Sequence, residues 1–428
     1  MISHTQAPSG STIRITSGSV DREPHSGKSS STEPEGIAPK RQIASVPGKF
    51  SRQSHFLTGA TGLLGSYILR GLLLDGKEVA VLARSSRRQS AQERIFAMVA
   101  DWEHEFQRSL PRPLVISGSL ADPTWGIQHA DWFSKCCRSV IHCAASLQFR
   151  GAPGCDPWVS NIEGTRRILE ICERSAIREL HYVSTAYVAG TQENFTEHHV
   201  DIGQELRNDY EKSKLAAEKM VRNAGFLDSL TIYRPSIVVG DSQTGWTTTY
   251  HGFYAALRLA HTLASQMPRG ENRGQMVLDL LQTTGRLEHK NFVPVDWVCN
   301  VFSHIHRTPE LHGQTYHLTS PEPILLLDFM GAIQDAVDTW SQFAPDGSNG
   351  SDEWFRRTYI DQMDVYLSYV QNDPAFDVSN TRAAAPHLPC PKVDRELLLF
   401  LAREAILSDF GKNNQRSQQN TTVSEAGV

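Results

Sequence analysis

The sequence predicts an α/β protein with a doubly wound parallel sheet and a smaller C-terminal region. From Phe56 to about residue 240, short apolar runs alternate with amphipathic stretches. That alternation is the pattern of βαβ units, in which helices cover a parallel sheet. After residue 240 the rhythm breaks into irregular segments, which could close the carboxyl edge of the sheet and shape a cleft.

The apolar runs predict the strands in chain order. They read HFLTG, EVAVLAR, PLVISG, SVIHCAA, LHYVSTAYV and LTIYRPSIVVG, and QTYHLTS follows later. Helices are predicted around LLGSYILRGLLLD, SAQERIFAMVADWEHEF, VSNIEGTRRILEICERS and NDYEKSKLAAEKMVRN. Strand therefore alternates with helix, as parallel pairing requires.

Composition and charge argue against several classes of protein. The formal net charge of -5 over 428 residues lacks the excess of positive charge that is typical of nucleic-acid-binding proteins. The seven cysteines show no C-x-x-C spacing, which argues against a disulfide framework and favours a reducing compartment. No apolar run is long enough to cross a bilayer, and no signal peptide is evident. We therefore expect a cytoplasmic protein with no membrane span and no nucleic-acid partner.

The segment TGATGLLG, residues 58–65, is the first candidate binding site. A turn between a strand and a helix favours an anion, because free backbone N–H groups and the positive end of the helix dipole face the same point. Gly59 would permit the tight turn, Gly62 the close approach of a pyrophosphate, and Gly65 the close packing of helix on strand. The alternative is a tight turn with a purely structural role. The βαβ context favours dinucleotide binding.

The spacing G-x-x-G-x-x-G resembles that of the extended short-chain dehydrogenase/reductase superfamily, and further motifs of that superfamily follow in order. VSTAYVAG at 183–190 resembles its active-site strand, Tyr210-x-x-x-Lys214 lies downstream, and NFVPVDWV is similar to its late motif. HYVSTAYVAG, YEKSKLAAEKM and YRPSIVVGDSQTG look most like the thioester reductase and fatty acyl-CoA reductase branch. That branch is known for a male-sterility-type NAD(P)-binding domain.

The resemblance implies a Rossmann-type dinucleotide site and an oxidoreductase. Tyr210 would donate a proton, Lys214 would hold the nicotinamide ribose, and Thr185 would hold the substrate oxygen. Because Lys214 follows Tyr210 by one helical turn, we expect its ammonium to lower the phenol pKa from about 10. Ser184 is the alternative to Thr185, and we expect it to make a local hydrogen bond instead. The implied cofactor contacts are Gly59, Thr61, Gly62, Leu63, Leu64, Gly65, Arg84, Ser119, Ala144, Tyr210, Lys214 and Pro235.

The end of the second predicted strand bears on the choice of cofactor. There the chain reads VAVLARSSRR, with Arg84 in place of an acid. An acid would bind the ribose 2′-hydroxyl of NADH, whereas a cation accommodates the 2′-phosphate of NADPH. We therefore expect NADPH over NADH. The alternative is that these arginines form only a solvated loop.

Three other polar residues bear on the predicted sites. Ser119 departs from the family pattern, which usually has an acid there to contact the adenine amine, so we expect weaker binding of the adenine. No metal site is predicted, because His198 and His199 lack evident third and fourth ligands. His142 lies within a predicted strand and is expected to be a packed core residue.

Four regions are predicted along the chain. Residues 1–50, rich in Ser, Gly, Pro and charge, form a disordered leader. Residues 51–240 form the NAD(P)-binding Rossmann domain, and residues 241–410 form a substrate-binding and C-terminal helical region. Residues 411–428 form a disordered polar tail.

The resemblance implies that an acyl thioester, bound to coenzyme A or a carrier protein, is reduced to an aldehyde or alcohol, in a secondary-metabolite pathway. An acyl carrier protein is then a partner, and helices between residues 158 and 225 are candidates for a homodimer face. The enzymatic alternatives are a reductase or dehydrogenase of a free ketone, aldehyde or alcohol, and a sugar-nucleotide epimerase or dehydratase. The non-enzymatic alternative is a dinucleotide-sensing regulator that keeps the fold.

Overall fold

The protein is described by a computed structural model that covers residues 53–122, 124–266, 288–342, 357–359, 361 and 373–412. The predicted leader, residues 1–50, and most of the predicted tail lie outside these residues. The described residues all belong to one unit of the chain, Lys49–Val428. The predicted boundary at residue 240 stays a prediction.

A seven-stranded sheet forms the centre of the fold, and every neighbouring pair in it is parallel. The strands are β1 (Ser54–Thr58), β2 (Val79–Ala83), β3 (Leu114–Ser117), β4 (Cys137–His142), β5 (Glu179–Val183), β6 (Ser229–Pro235) and β7 (Thr315–Leu318). Their order across the sheet is β3-β2-β1-β4-β5-β6-β7. This is the doubly wound order that the alternation of runs predicts, and the predicted fold class is confirmed.

Helices cover both faces of the sheet and form the C-terminal region. They are α1 (Leu63–Leu74), α2 (Ala91–Phe106), α3 (Thr124–Gln128), α4 (Ala130–Cys136), α5 (Gly164–Arg174), α6 (Asp209–Arg222), α7 (Phe253–Ala264), α8 (Val295–Arg307), α9 (Leu326–Trp340), α10 (Ser379–Ala384) and α11 (Arg395–Leu407). Among the described helices, none has the length and apolar character that a membrane crossing needs.

Short elements complete the described chain. Two-stranded ladders join Ile237–Val239 to Phe292–Pro294, His289–Lys290 to Ile324–Leu325, and Asn194–Phe195 to Ala375–Phe376. A π-helix at Val159–Glu163 precedes α5, and 3-10 helices lie at Ala186–Ala189 and Pro309–Leu311. Helices α3 and α4 fill a stretch for which the sequence predicted no helix. They bury Trp125 and Phe133 against Phe56 of β1, so tertiary packing stabilises these short helices.

Alternate residues of the central strands face different hydrophobic cores. Leu57 and Val81 pack with α1, α2 and α8, whereas Phe56 and Ala80 pack with α4, α5 and α6. A third core joins α7, α9 and α11. The two-residue period of the strands thus produces a three-layer sandwich.

The strand order reverses at β1, which pairs with β2 on one side and β4 on the other. The connections from β1 and β4 leave toward opposite faces there, and a crevice forms at the carboxyl edge. The glycine turn follows β1, and the segment with Cys143 and Ala144 follows β4. The reversal therefore brings these two segments together.

Candidate active site

Two of the three glycines in the turn are required by the protein itself. Gly59 has φ +81°, and a Cβ there would lie 2.7 Å from the backbone nitrogen of Ala144. A Cβ on Gly65 would overlap the carbonyl oxygen of Gly59. The turn and the packing of α1 on β1 explain both glycines.

Gly62 is different, because the protein leaves space around it. It is exposed and is the N-cap residue of α1, with φ -86° and no side-chain cap. A Cβ there would meet only the carbonyl oxygen of Gly59, at 3.4 Å. The helix N-terminus thus opens onto the crevice without a blocking side chain, which fits a pyrophosphate close to the backbone.

The other predicted turn contacts lie at different depths. Thr61 and Leu64 are half-buried and Leu63 is buried. The Leu63 side chain packs into the core under α1, so only its backbone N–H group could face a ligand.

A buried hydroxyl joins the ends of β1 and β4. Thr58 Oγ1 accepts from the Ala144 N–H group at 3.2 Å and lies 2.7 Å from His142 Nδ1. His142 Nε2 lies 3.0 Å from Thr165 Oγ1, and burial lowers the pKa of His142 to about 3. His142 is therefore the packed core histidine that the sequence predicted, and its hydrogen bonds hold Ala144 beside the glycine turn.

Thr185, Tyr210 and Pro235 meet at the same edge of the sheet. Thr185 follows β5, and its hydroxyl donates to the carbonyl oxygen of Pro235 at 3.4 Å. The Thr185 side chain also lies beside that of Tyr210, which is in the first turn of α6. The side chain of Asn208 caps this helix by accepting from the Glu211 N–H group at 3.0 Å. The cap fixes where α6 begins, and so where Tyr210 lies.

Lys214 lies one turn further along α6 and is buried. Its Nζ donates to the carbonyl oxygen of Val183 at 2.7 Å and to Tyr182 Oη at 3.1 Å. It also lies 4.6 Å from the centre of the Tyr182 ring. Burial lowers the pKa of Lys214 to about 8.

The predicted lowering of the Tyr210 pKa is wrong for this structure. Burial raises the pKa of Tyr210 to about 12, and the neighbouring Thr185 hydroxyl opposes that rise only in part. The ammonium of Lys214 is held instead by Val183 and Tyr182 at the end of β5. Helical spacing places Lys214 on the same face as Tyr210, but the strand beneath α6 decides which atoms the ammonium contacts.

Ser184 makes a structural hydrogen bond, though not the local one predicted. Its hydroxyl donates to Glu218 Oε2 at 2.6 Å. Glu218 Oε1 accepts from Nη2 of Arg234 at 2.6 Å, and all three side chains are buried. Burial alone would raise the pKa of Glu218, but the charge and hydrogen bond of Arg234 outweigh it and lower the pKa to about 2. Sequence reasoning missed this network, because Glu218 and Arg234 look like ordinary surface charges along the chain.

Asn161 is a second buried residue that sequence reasoning missed. It lies in the π-helix, and its side chain accepts from the Ser146 N–H group at 2.7 Å and donates to the Ser146 carbonyl at 3.0 Å. It also donates to Ser213 Oγ of α6 at 2.9 Å. Asn161 thus ties the segment after β4 to the helix that carries Tyr210 and Lys214.

The predicted adenosine end of the site contains an exposed basic loop. Arg84 follows β2 and is exposed. The first acid after it, Glu93, accepts hydrogen bonds from the backbone and side chain of Ser90 in the capping box of α2. After β3, the Ser119 hydroxyl accepts from the Ala121 N–H group at 3.2 Å. The Ser119 oxygen thus already accepts one hydrogen bond, which leaves it less able to accept another from the adenine amine.

Residues 57–302, more than half of the chain, match a family model of NAD-binding domains described as male sterility protein. The chain belongs to this family. The predicted resemblance to a male-sterility-type NAD(P)-binding domain is confirmed.

Relatives of this family member are much longer than it is. Aldehyde reductase lnaA of Aspergillus flavus is 26% identical over 396 residues, which cover 80% of this chain and 35% of that protein. Nonribosomal peptide synthetase asaC of Aspergillus flavus is 25% identical over 288 residues, or 63% of this chain and 26% of that protein. The chain thus spans about a quarter to a third of their length.

The fold of this family member is similar to that of a solved reductase domain. The terminal R domain from the myxalamid PKS-NRPS biosynthetic pathway superposes with a TM-score of 0.62 at 23% identity. The match covers 86% of this chain and 92% of that domain. The similarity extends beyond the dinucleotide-binding half into the C-terminal region.

Proposed function

We propose that this family member is an oxidoreductase that reduces a carrier-bound acyl thioester with NADPH. The observation that carries the proposal is that Thr185 and Tyr210 lie beside each other at the sheet edge that also bears the glycine turn. Relatives that include a nonribosomal peptide synthetase support a substrate held on a phosphopantetheine arm. An acyl carrier protein is then the expected partner.

In this proposal, each residue of the site has a separate task. Thr185 would orient the substrate carbonyl oxygen, and Tyr210 would donate a proton to it. A phenol with a pKa of about 12 stays protonated at neutral pH and is available as an acid. Lys214 would donate hydrogen bonds to the nicotinamide ribose, because its ammonium is already held at this edge by Val183.

The proposed reaction consumes one hydride and one proton for each aldehyde formed. The bound cofactor would supply the hydride. Addition to the thioester carbonyl, with a proton from Tyr210 to the oxygen, gives a hemithioacetal. Cleavage of its C–S bond returns the oxygen-bound proton to Tyr210 and releases an aldehyde and a thiolate, which takes a proton from water to give the thiol. Reduction of the aldehyde by a second hydride would give the alcohol.

Arg84 supports the preference for NADPH. Its side chain is exposed at the end of β2, where the ribose of a dinucleotide lies in this fold. Glu93, the first acid after it, is engaged by Ser90. The described loop between β2 and α2 thus has no carboxylate to bind the ribose 2′-hydroxyl of NADH. The guanidinium of Arg84 can instead form charge-assisted hydrogen bonds with the 2′-phosphate of NADPH.

The test is cofactor oxidation by the purified chain. NADPH and NADH are each supplied with acyl-CoA thioesters, a phosphopantetheine-bound acyl carrier protein, free aldehydes and ketones. Tyr210→Phe removes the proposed acid, and Tyr250→Phe is the matched control, because the Tyr250 hydroxyl contacts the Thr247 carbonyl oxygen at 3.5 Å and is not one of the proposed site residues. We expect thioester-dependent NADPH oxidation that Tyr210→Phe reduces at least 100-fold and Tyr250→Phe leaves intact.

Reduction of a free carbonyl is the second candidate function. Its support is the aldehyde reductase of Aspergillus flavus, whose similarity covers 80% of this chain. Turnover of aldehydes or ketones without thioesters would replace the thioester proposal. An epimerase would show no net NADPH oxidation, because it returns its hydride, and a sensor would keep its biological activity in Tyr210→Phe.

A further inference from the structure

A second cluster of reactive side chains lies at the amino edge of the sheet, opposite the glycine turn. Glu179 and His181 are the first and third residues of β5, so their side chains project to the same face. His312 lies in the connection between α8 and β7. One ligating atom from each residue lies within 4.8 Å of the other two. The proposed function uses none of these residues.

The carboxylate of Glu179 lies between the two rings. Its Oε1 is 3.1 Å from His181 Nε2 and 4.0 Å from His312 Nδ1. Its other oxygen, Oε2, faces Arg138 Nε at 3.7 Å. Ligand atoms on a tetrahedral Zn²⁺ ion lie roughly 3.3 Å apart, given bonds of about 2.0–2.2 Å. The largest separation in the cluster, 4.8 Å, exceeds this by about 1.5 Å, so a movement of His312 of about that size would close a three-ligand site.

Hydrogen bonds at the back of the His312 ring set its tautomer. Its Nε2 lies 3.1 Å from the carbonyl oxygen of Ile305 and 3.3 Å from that of His306. A carbonyl oxygen only accepts, so Nε2 carries the proton and the Nδ1 lone pair of the neutral ring faces Glu179. Two electron-rich atoms then face each other, and a cation between them would stabilise this arrangement.

The His181 ring can present a lone pair to the same point. Its Nδ1 lies 3.1 Å from Tyr233 Oη, which can accept a hydrogen bond from it. With the proton on Nδ1, the Nε2 lone pair faces Glu179. Histidines that bind metals are usually held in this way, by a hydrogen bond from the nitrogen that does not bind the ion.

A further imidazole and a cavity adjoin the cluster. His306 is 8% exposed, its ring centre lies 4.9 Å from that of His181, and its Nε2 has no hydrogen-bond partner among the described residues. A cavity of about 290 Å³ reaches Glu179 and is lined in part by Arg138, Arg178 and Asp228. The cavity gives an ion and its water a path from solvent.

We propose that Glu179, His181 and His312 bind a divalent transition-metal ion, for which Zn²⁺ is the best match. Two imidazole nitrogens and one carboxylate oxygen are ligands that Zn²⁺ accepts, and a water from the cavity would complete the tetrahedron. The ion would tie the start of β5 to the connection before β7. The site lies at the edge of the sheet away from Tyr210 and is independent of the proposed reduction.

The test is Zn²⁺ binding to the full chain after treatment with a chelator. Isothermal titration with ZnSO₄ should give one equivalent bound, and the ion should raise the melting temperature, because it binds the folded state. Glu179→Gln and His312→Gln should each weaken binding at least tenfold. His198→Gln is the matched control, because His198 is exposed and the sequence predicts no metal site for it and its neighbour His199.

A spectroscopic measurement on the wild-type chain tests the same site without requiring any variant to fold. Co²⁺ bound to the wild-type chain should give the intense visible absorption of a four-coordinate site, and Zn²⁺ should displace it. Binding of less than one-tenth of an equivalent would overturn the proposal. Binding that both site variants leave unchanged, or that His198→Gln abolishes, would do the same.

Discussion

The side chains of Thr185 and Tyr210 lie beside each other at the carboxyl edge of the sheet, although one follows β5 and the other lies on α6. Thr185 also contacts the Pro235 carbonyl oxygen at the end of β6. The Thr185 hydroxyl therefore links the end of β5 to the end of β6, beside Tyr210, at the point where the proposed substrate oxygen would lie.

We predict that Thr185→Ala lowers kcat of the proposed reduction by about 100-fold, because the substrate oxygen loses a donor beside Tyr210. Thr185→Ser keeps the hydroxyl and should restore most of the activity. Steady-state kinetics on both variants, with melting temperatures as the folding control, will check this. Equal losses in the two variants would contradict a role for the hydroxyl.

The glycine turn gives a matched pair of variants. Gly62→Ala adds a Cβ that meets only the Gly59 carbonyl oxygen, at an ordinary contact distance of 3.4 Å, so we predict an unchanged melting temperature and a KM for the cofactor raised at least tenfold. Gly65→Ala should instead destabilise the fold, because its Cβ would overlap the Gly59 carbonyl oxygen. Thermal unfolding and cofactor titration separate the two effects. Normal cofactor binding by Gly62→Ala would contradict the prediction and support the alternative that the turn has a purely structural role.

Cofactor preference should depend on Arg84. We predict that Arg84→Ala raises the KM for NADPH about tenfold and leaves the KM for NADH nearly unchanged, because only the 2′-phosphate meets the guanidinium. Arg108→Ala is a suitable control, since that exposed arginine binds the Leu74 carbonyl oxygen on another surface. Equal effects of Arg84→Ala on both cofactors would argue that the loop is only solvated.

Glu218 should make stability depend on pH in the acid range. Its pKa is about 2 in the folded protein against a usual value of 4.5, so the unfolded chain binds more protons between these values. The stabilisation is fully present above pH 4.5 and is lost as the pH falls toward 2. From about 1.4 kcal/mol per pKa unit, it amounts to roughly 3 kcal/mol.

Urea unfolding of the wild type and of Glu218→Gln will test this. We predict that the variant is less stable by about 3 kcal/mol or more at pH 6, because Arg234 is left buried with a weaker partner. The difference should shrink as the pH falls from 4.5 toward 2. A difference that stays constant over this range would show that the carboxylate charge is not responsible.

Much of this protein was determined by local sequence. Apolar runs and helical stretches in alternation predicted the parallel sheet and α1, α2, α5 and α6, because burial on a sheet needs only a pattern of neighbouring residues. The glycine turn and the Tyr210-x-x-x-Lys214 pair were visible for the same reason, since their geometry is set within one turn of a helix.

The tertiary structure decided what these residues contact. It turned Lys214 toward Val183 and Tyr182, raised the Tyr210 pKa through burial, and paired Ser184 with Glu218. It also brought Glu179, His181 and His312 together from separate elements. Burial and hydrogen bonding between distant segments depend on how whole strands and helices pack, and no short stretch of sequence contains that information.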